Sequence, residues 1–230
     1  MSAPVSASGR PLRPADRRLL VLRHGITGHN ARGVWQGHLD VPLSAEGVEQ
    51  AAAVAEVIAP MRPDVVVSSD LARAAATAAA IGARCDCAVR LDPRLREVHA
   101  GQWQGLSARE VESQFPRVRA AIARGEDIRR GGDGETLTEV AARASAAALA
   151  AVDVLPAGGL AVLVTHGVAA RALVAEIVGI PQRAAWLGLA GLGNCCWGEL
   201  REHDGQWRLF SWNHSALQVP GADMGDQSAY

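Results

Sequence analysis

Short apolar runs alternate with longer amphipathic segments along the chain. The apolar runs cover residues 19–22, 65–68 and 160–165, and their length and their leucine and valine content are typical of buried β-strands. A segment with helical periodicity follows each run. This alternation predicts an α/β fold, in which a mostly parallel sheet is covered by helices on both faces as a three-layer α/β/α sandwich.

Capping residues, glycines and prolines set the predicted helix boundaries. Helices are expected over residues 45–59, 70–81, 108–114, 136–155 and 168–178. Gly82 is the expected end of the second helix. In the first helix, the nearly helical spacing of Val48, Ala52, Ala55 and Ile58 predicts an apolar face.

Two segments depart from the alternation. Residues 98–135 contain a predicted short lid excursion, whose arginine- and glycine-rich stretch 117–134 is expected to be exposed. Residues 195–200 and 207–212 predict a C-terminal antiparallel hairpin. The edge strand of this hairpin and the tryptophans near it favour a homodimer.

Both ends of the chain are polar. Residues 1–18 contain prolines and arginines but no apolar signal segment, and they predict a flexible leader, with a matching flexible tail over residues 220–230. Residues 19–219 are predicted to form a single domain. No apolar run has the length of a membrane span, so we expect a cytoplasmic protein with no membrane partner.

Composition narrows the chemistry. The 230-residue chain has 23 basic and 24 acidic residues and a formal net charge of −1. Nucleic acids and anionic membranes select a cationic surface, so neither is expected as a partner. Every basic residue is arginine, which excludes Schiff-base chemistry and a P-loop lysine but suits bidentate binding of phosphate or carboxylate.

The four cysteines form two close pairs, Cys85 with Cys87 and Cys195 with Cys196. Such pairs close almost no loop and lack the spacing of a zinc site. We therefore expect reduced, packed cysteines and no metal site.

Polar residues follow each of the three predicted strands. They form the segments Arg23-His24-Gly25, residues 68–73, and Thr165-His166-Gly167. In an open α/β sheet, ligands bind beyond the carboxyl ends of the strands, so these segments should meet in one crevice. Two arginines, two histidines and helix N-terminal amides in one crevice indicate an anion site suited to a phosphoryl group.

Motifs in the order of a known family span residues 19–180. They are residues 22–27 with Asn30, residues 43–47, residues 68–74 with 77–78, residues 95–97 with 101–105, and residues 165–167. In these motifs the chain resembles the histidine phosphatase superfamily, in the branch that contains cofactor-dependent phosphoglycerate mutases and many small phosphatases. Ile26 departs from the pattern, because many members have Glu or Gln there, and this affects substrate identity more than catalysis.

The resemblance implies a mechanism. A neutral His24, with one ring nitrogen bound to backbone, would attack phosphorus with the other nitrogen and form a phosphohistidine. Charge on the phosphoryl oxygens would be stabilised by Arg23, Arg73, His166 and the amide of Gly167. Further phosphate-binding positions are Thr27, Asn30, Gln36 and Gly37. Because the arginines supply positive charge, neither a metal nor a cofactor is expected.

Glu97 is the position that matches the family's general acid. It would protonate the leaving alkoxide and later deprotonate the attacking water. We expect burial, or the charge of the incoming phosphate, to keep its carboxyl protonated. The alternative is a surface carboxylate paired with Arg94 or Arg96.

These residues predict a metal-independent phosphomonoesterase that acts on a small phosphorylated metabolite. One alternative is a cofactor-dependent phosphoglycerate mutase, and a second is a non-catalytic phospholigand-binding protein on the same fold. A short excursion between Glu97 and His166 would admit water, which favours hydrolysis over transfer. A binding protein would need the arginines but neither the nucleophile nor the acid.

A narrower resemblance lies near the C-terminus. Residues 191–194 with Trp197, residues 207–209 and residues 212–216 are similar to the ends of actinobacterial glucosyl-3-phosphoglycerate phosphatases. The resemblance implies glucosyl-3-phosphoglycerate or a related sugar or glycerate phosphate as substrate. Trp35 and Trp103, close to motif residues, would either stack on a sugar or pack in the core.

Overall fold

The computed structural model describes residues 16–216 and places six strands in one sheet. The strands are β1 (Arg18–Arg23), β2 (Val65–Ser68), β3 (Val89–Leu91), β4 (Leu160–Thr165), β5 (Cys196–His203) and β6 (Gln206–Ser215). Their order is β3-β2-β4-β1-β5-β6. The first four strands are parallel, and β5 and β6 are antiparallel to their neighbours. The mostly parallel sheet and the C-terminal hairpin are therefore confirmed.

Helices and short 3-10 turns connect the strands. The helices are α1 (Gly28–Ala31), α2 (Ala45–Ile58), α3 (Ala72–Cys85), α4 (Ala108–Gln114), α5 (Pro116–Ala123), α6 (Leu137–Asp153), α7 (Gly167–Val178) and α8 (Gln182–Gly188). Among residues 16–216, none of these helices has the length and apolarity needed to cross a membrane. The predicted tail and most of the predicted leader lie outside the described residues.

Side chains of β1 alternate between two cores. Leu19 and Val21 pack with α6 and α7 on one face of the sheet, and Leu20 and Leu22 pack with α2 and α3 on the other. Successive side chains of a strand point to opposite faces, so a wholly apolar strand needs cover on both sides. The three-layer α/β/α prediction is confirmed.

The predicted end of the second helix was wrong. α3 continues past Gly82 to Cys85, and its C-cap residue Asp86 has a left-handed φ of 53°. A Cβ atom on Gly82 would lie 2.7 Å from Val89 Cγ2 and 2.7 Å from the carbonyl oxygen of Cys87. This glycine lets the helix approach β3 closely and does not stop it.

The predicted apolar face of α2 was wrong at two positions. Val48 is 57% exposed, and Ala52 is also exposed. The buried face is instead formed by Gly47, Ala51, Val54, Ala55 and Ile58. In the first turn of α2, Gly47 packs closely against the loop after β1, so this side of the helix is buried and Val48 is exposed.

The stretch 117–134, predicted from its composition to be exposed, is exposed at about half of its positions and buried at others. It includes most of α5, and Ile122 is buried in a small core with Trp35 and Trp103. Arg130 has no exposed surface and lies 5.4 Å from the centre of the Trp186 ring. Ile122 and Arg130 are therefore buried by packing on tryptophans that lie outside this stretch.

Candidate active site

The candidate site lies at the carboxyl ends of β1 and β4. Arg23 and Thr165 are partners in the parallel register of these strands, and the residues that follow them, His24 and His166, are therefore neighbours. The centres of their rings are 5.0 Å apart. Arg73 and Glu97 line the same cavity as His24, so the structure brings together the segments that the sequence places at strand ends.

His24 is nearly fully buried and has a defined tautomer. Its Nδ1 lies 2.7 Å from the carbonyl oxygen of Gly25. A carbonyl only accepts hydrogen bonds, so Nδ1 carries the proton and Nε2 keeps its lone pair. Burial, followed by the positive charges of Arg73 and Arg23, holds the pKa of His24 well below its usual range. The imidazole is neutral at neutral pH.

Two glycines let the loop after β1 pack on α2. A Cβ atom on Gly25 would lie 2.5 Å from the carbonyl oxygen of Gly47, and one on Gly47 would lie 2.0 Å from that of Ile26. The amide of Gly25 also donates to Thr77 Oγ1 at 3.1 Å. Contacts with α2 and α3 therefore hold the residue that follows His24.

Both predicted arginines are buried and held by carbonyl groups. Arg23 Nη1 donates to Leu192 O at 2.7 Å, and Arg73 donates to Leu39 O at 2.7 Å and to Gly37 O at 2.8 Å. Gly37 has a φ of +49°, in the left-handed region that favours glycine. Burial lowers the pKa of Arg73 to about 10, so the side chain remains a cation at neutral pH.

His166 is fully buried and hydrogen-bonded to a serine. Its Nε2 lies 2.9 Å from Ser69 Oγ, which accepts a hydrogen bond from the amide of Leu71. If the serine donates its one proton to Nε2, the proton of His166 is on Nδ1, which has no partner among the described residues. Burial and the charge of Arg73 hold the pKa of His166 well below its usual range.

The carboxyl group of Glu97 lies at the N-terminus of α7. Its oxygens accept hydrogen bonds from the amides of Val98 at 2.9 Å, Ala169 at 2.9 Å and Val168 at 3.2 Å. Amide donors at a helix N-terminus stabilise a carboxylate. Glu97 is only half-buried, so the structure does not provide the burial that was expected to keep the carboxyl protonated.

The alternative for Glu97, a surface ion pair with a neighbouring arginine, was wrong. Arg94 pairs with Asp92 at 2.7 Å, and Arg96 pairs with Asp70 at 2.5 Å. Both neighbouring guanidinium groups therefore bind other carboxylates, and the Glu97 side chain turns to the cavity.

The loop after His24 contributes several of the predicted phosphate-binding residues. Asn30, Gln36 and Gly37 line the cavity, as does Gly167 at the start of α7. Thr27 is fully buried, and its Oγ1 lies 3.0 Å from Asn30 Oδ1 and 3.0 Å from Gln36 Oε1. In the structure Thr27 therefore connects the Asn30 and Gln36 side chains.

The two tryptophans near the motifs pack on each other. Their ring centres are 5.3 Å apart, and Trp103 has no exposed surface. Trp35 is 3% exposed and lines the cavity. The packing interpretation therefore holds for Trp103, which has no surface to offer a sugar.

Sequence reasoning missed Arg171, which also lines the cavity. It lies four residues after Gly167, and residues at this spacing share one face of a helix. The predicted helix over 168–178 therefore contained the signal, because it places Arg171 one turn along the helix from the predicted site.

The C-terminal motif residues support the cavity wall. The side chain of Asn213 accepts from the amide of Gly193 at 2.8 Å and donates to Gly191 O at 3.0 Å. Asn194 Nδ2 donates to His24 O at 2.9 Å. Asn213 of β6 and Asn194, which lies just before β5, therefore hold the segment around Leu192. The carbonyl oxygen of Leu192 accepts from Arg23.

The cavity is partly open to solvent, and it has about 40 Å³ of space for the centres of water-sized molecules. Across residues 16–216, no cluster of three or more His, Cys, Asp or Glu side chains is placed to hold a metal ion. The positive charge in the cavity comes from Arg23, Arg73 and Arg171.

Comparison with known proteins agrees with this geometry. The model of the histidine phosphatase superfamily (branch 1) matches residues 19–215. The chain belongs to this superfamily. Glucosyl-3-phosphoglycerate phosphatase of Mycobacterium tuberculosis (strain CDC 1551 / Oshkosh) is 40% identical in an alignment of 215 residues that covers 87% of this chain and 96% of that protein.

Two further relatives of this histidine phosphatase bear on its activity. A probable phosphoglycerate mutase of Enterobacter sp. (strain 638) is 34% identical over 212 residues, covering 90% of this chain and 97% of that protein. A solved mycobacterial glucosyl-3-phosphoglycerate phosphatase complexed with VO3 is 40% identical with a TM-score of 0.81, covering 86% of this chain and 100% of that chain. The predicted family, fold and class of enzyme, a phosphatase, are confirmed.

Proposed function

We propose that this histidine phosphatase hydrolyses a phosphate monoester of a small metabolite through a phosphohistidine on Nε2 of His24. The observation that carries the proposal is the state of His24, which is neutral, bound through Nδ1 to Gly25 O, and close to the buried charges of Arg23 and Arg73. This arrangement leaves a nucleophilic lone pair in a cationic cavity.

In the first step, Nε2 of His24 attacks phosphorus and the bond from phosphorus to the ester oxygen breaks. Arg23, Arg73 and the Nδ1 proton of His166 stabilise charge on the phosphoryl oxygens. Further hydrogen bonds to these oxygens come from Gly167, Asn30, Gln36 and Gly37, with Thr27 holding Asn30 and Gln36 in place. The leaving alkoxide takes a proton from Glu97.

In the second step, water attacks phosphorus, the bond to Nε2 breaks, and Glu97 accepts the proton of the water. Three backbone amides stabilise the Glu97 carboxylate in the absence of substrate. The charge of the incoming phosphate, rather than burial, therefore supplies the reason for Glu97 to hold a proton in the first step. No metal or cofactor takes part in this scheme.

For the substrate we propose glucosyl-3-phosphoglycerate or a related sugar or glycerate phosphate. Relatives from Mycobacterium tuberculosis and Mycolicibacterium vanbaalenii that carry the name glucosyl-3-phosphoglycerate phosphatase, at 40% and 41% identity, support this class. A phosphoglycerate mutase is the second candidate, and the 34% identical Enterobacter relative is the observation that favours it.

We further propose that the protein acts in the cytoplasm, where thiols stay reduced, since its four cysteines are free. A homodimer paired through the edge strand β6 is supported by the exposure of Phe210, which is 39% exposed. Equilibrium sedimentation would detect the dimer as twice the chain mass.

The test of the proposed function is phosphate release from a panel of phosphorylated sugars and glycerates, by the wild type and by His24→Ala. We expect the wild type to release phosphate without added metal and in the presence of a chelator, and His24→Ala to lose this activity. A phosphoenzyme that is labile in acid and stable in base should form on the wild type alone.

The other outcomes identify the alternatives. Activity that survives His24→Ala would overturn the phosphohistidine mechanism. Conversion of 3-phosphoglycerate that depends on 2,3-bisphosphoglycerate and releases little phosphate would show a mutase. Binding of phosphate esters by the wild type without turnover would show a non-catalytic phospholigand-binding protein.

A further inference from the structure

Arg171 is a buried cation in the cavity that the proposed chemistry does not use. It lies on α7 and is 8% exposed, and it lines the cavity together with His24 and Glu97. Phosphoryl transfer at His24 already has Arg23 and Arg73. The proposed phosphoryl transfer therefore assigns no role to the third guanidinium group that lines the cavity.

The contacts of Arg171 leave part of its guanidinium group without a partner. Nη1 donates to Leu189 O at 3.1 Å, and the group lies 3.8 Å from the centre of the Trp186 ring. Nε is buried and has no hydrogen-bond partner among residues 16–216. In the same part of the chain, no carboxylate lies within ion-pair distance of Arg171.

A second buried arginine increases the positive charge behind this wall. Arg130 has no exposed surface, packs on Trp186, and has no described hydrogen-bond partner for Nε or Nη2. Burial and then the charge of Arg130 lower the pKa of Arg171 to about 10, an effect that Glu97 opposes. Both side chains remain cations at neutral pH. Neither guanidinium group forms a direct ion pair among residues 16–216, and buried charge that is not directly paired is costly, so an anion bound here would be favoured.

We infer that Arg171 binds a second acidic group of the substrate, a carboxylate, while Arg23 and Arg73 hold the phosphate. This inference rests on the proposed function and deepens it, because it makes Arg171 a specificity-determining residue for phosphate monoesters that also carry a carboxylate. Arg171 and the proposed phosphate-binding residues line one cavity that is partly open to solvent, so a single substrate can contact both.

The surroundings of Arg171 favour a carboxylate over a second phosphate. Arg171 presents one guanidinium group, and a carboxylate matches this planar donor with a single charge. The negative charge of Glu97 acts on the same guanidinium group. Glu97 attracts that guanidinium group but repels an anion bound to it, and it repels a phosphate dianion more than a singly charged carboxylate. A phosphate would also find fewer donors here than the phosphate site offers.

The test compares two substrates that differ at one group. 3-Phosphoglycerate carries a carboxylate where glycerol 3-phosphate carries a hydroxymethyl group. We expect the wild type to prefer 3-phosphoglycerate in kcat/KM. We expect Arg171→Gln to lower kcat/KM by about 10- to 100-fold more for 3-phosphoglycerate than for glycerol 3-phosphate, mainly through KM.

Arg171→Lys and an exposed arginine serve as controls. The lysine variant keeps the charge and should retain part of the preference, while Arg84→Met, which removes a charge from an exposed ion pair, should retain all of it. Thermal unfolding of each variant identifies one that fails to fold. Equal losses on both substrates by a folded Arg171→Gln or Arg171→Lys would overturn the inference, as would a wild type without the preference.

Binding separates this inference from the proposed function. Calorimetry with 3-phosphoglycerate on His24→Ala and on His24→Ala with Arg171→Gln needs no turnover. We expect about 10- to 100-fold weaker binding in the double variant. If the double variant binds more weakly but the wild type hydrolyses no phosphate ester, the proposed phosphatase activity is contradicted and the role of Arg171 is not. Equal binding by the two variants would contradict the role of Arg171.

Discussion

The proposed proton transfer depends on the carboxyl group of Glu97. Glu97→Gln cannot supply a proton to an alkoxide, so we expect kcat on glycerol 3-phosphate to fall by roughly 10²- to 10⁴-fold. p-Nitrophenolate leaves without a proton, so the first turnover of p-nitrophenyl phosphate should slow far less. Stopped-flow measurement of the p-nitrophenol burst and steady-state phosphate release measure the two effects.

The comparison of leaving groups distinguishes acid catalysis from a general loss of structure. In Glu97→Gln the second step should also slow, because the proposed mechanism uses the same residue to activate water, so the burst should be followed by slow turnover. Equal losses on the two substrates in the first turnover would show that Glu97 supports the cavity but does not donate the proton.

At the scale of elements, α6 holds the segment that carries Glu97. Arg143 of α6 donates to the carbonyl oxygens of Arg94, Arg96 and Glu97, at 2.7, 2.7 and 2.8 Å, and it pairs with Glu135 at 2.7 Å. One side chain therefore ties the backbone at Glu97, the proposed general acid, to a helix that begins some forty residues later.

Arg143→Met should destabilise the protein by about 2 kcal/mol or more, because it leaves three carbonyl groups and a half-buried Glu135 without this partner. It should also lower kcat, since the Glu97 segment loses its support. Urea unfolding and phosphate release measure both effects. The matched control Arg84→Met removes an exposed ion pair with Glu56, and it should change neither quantity. An Arg143→Met protein as stable as this control would refute the role of α6.

At the scale of the whole molecule, stability should fall as the pH falls below about 7. The pKa values of His24 and His166 are well below the usual range in the folded protein, whereas histidines in an unfolded chain titrate near 6.5. The unfolded state therefore binds protons that the folded state does not. The free energy of unfolding should decrease between about pH 7 and pH 5, by up to roughly 1.4 kcal/mol per pH unit for each histidine.

Urea unfolding at several pH values measures this slope. The pKa of His38 is also lowered, first by burial, and adds to the slope in the same direction. Aspartate and glutamate side chains titrate in unfolded chains near 4 and act mainly below this window. His166→Asn, which removes one of the titrating groups, should have a shallower slope. A stability that stays constant from pH 7 to pH 5 would contradict the neutral state assigned to the two histidines.

Local patterns in the chain were enough to predict the layers of the fold and the meeting of the candidate site residues at one edge of the sheet. A strand such as β1, apolar at successive positions, must be covered on both faces, so the three-layer sandwich follows from sequence. His24, Arg73 and His166 follow strands or begin helices, so parallel strand ends alone bring them to one edge of the sheet. The position of each in the chain determines its position in the site.

Features that depend on distant partners came only from the folded molecule. Two of the three amides that bind Glu97 belong to Val168 and Ala169, about seventy residues away in the chain. Arg130 is buried by Trp186, and one side of α2 is buried against the loop after β1. No periodicity within a segment encodes such contacts, because burial and hydrogen bonding depend on what the rest of the chain places beside a residue. For Arg171 the helical spacing was present in the sequence, but its significance came from the cavity wall and the unpaired charge that packing created.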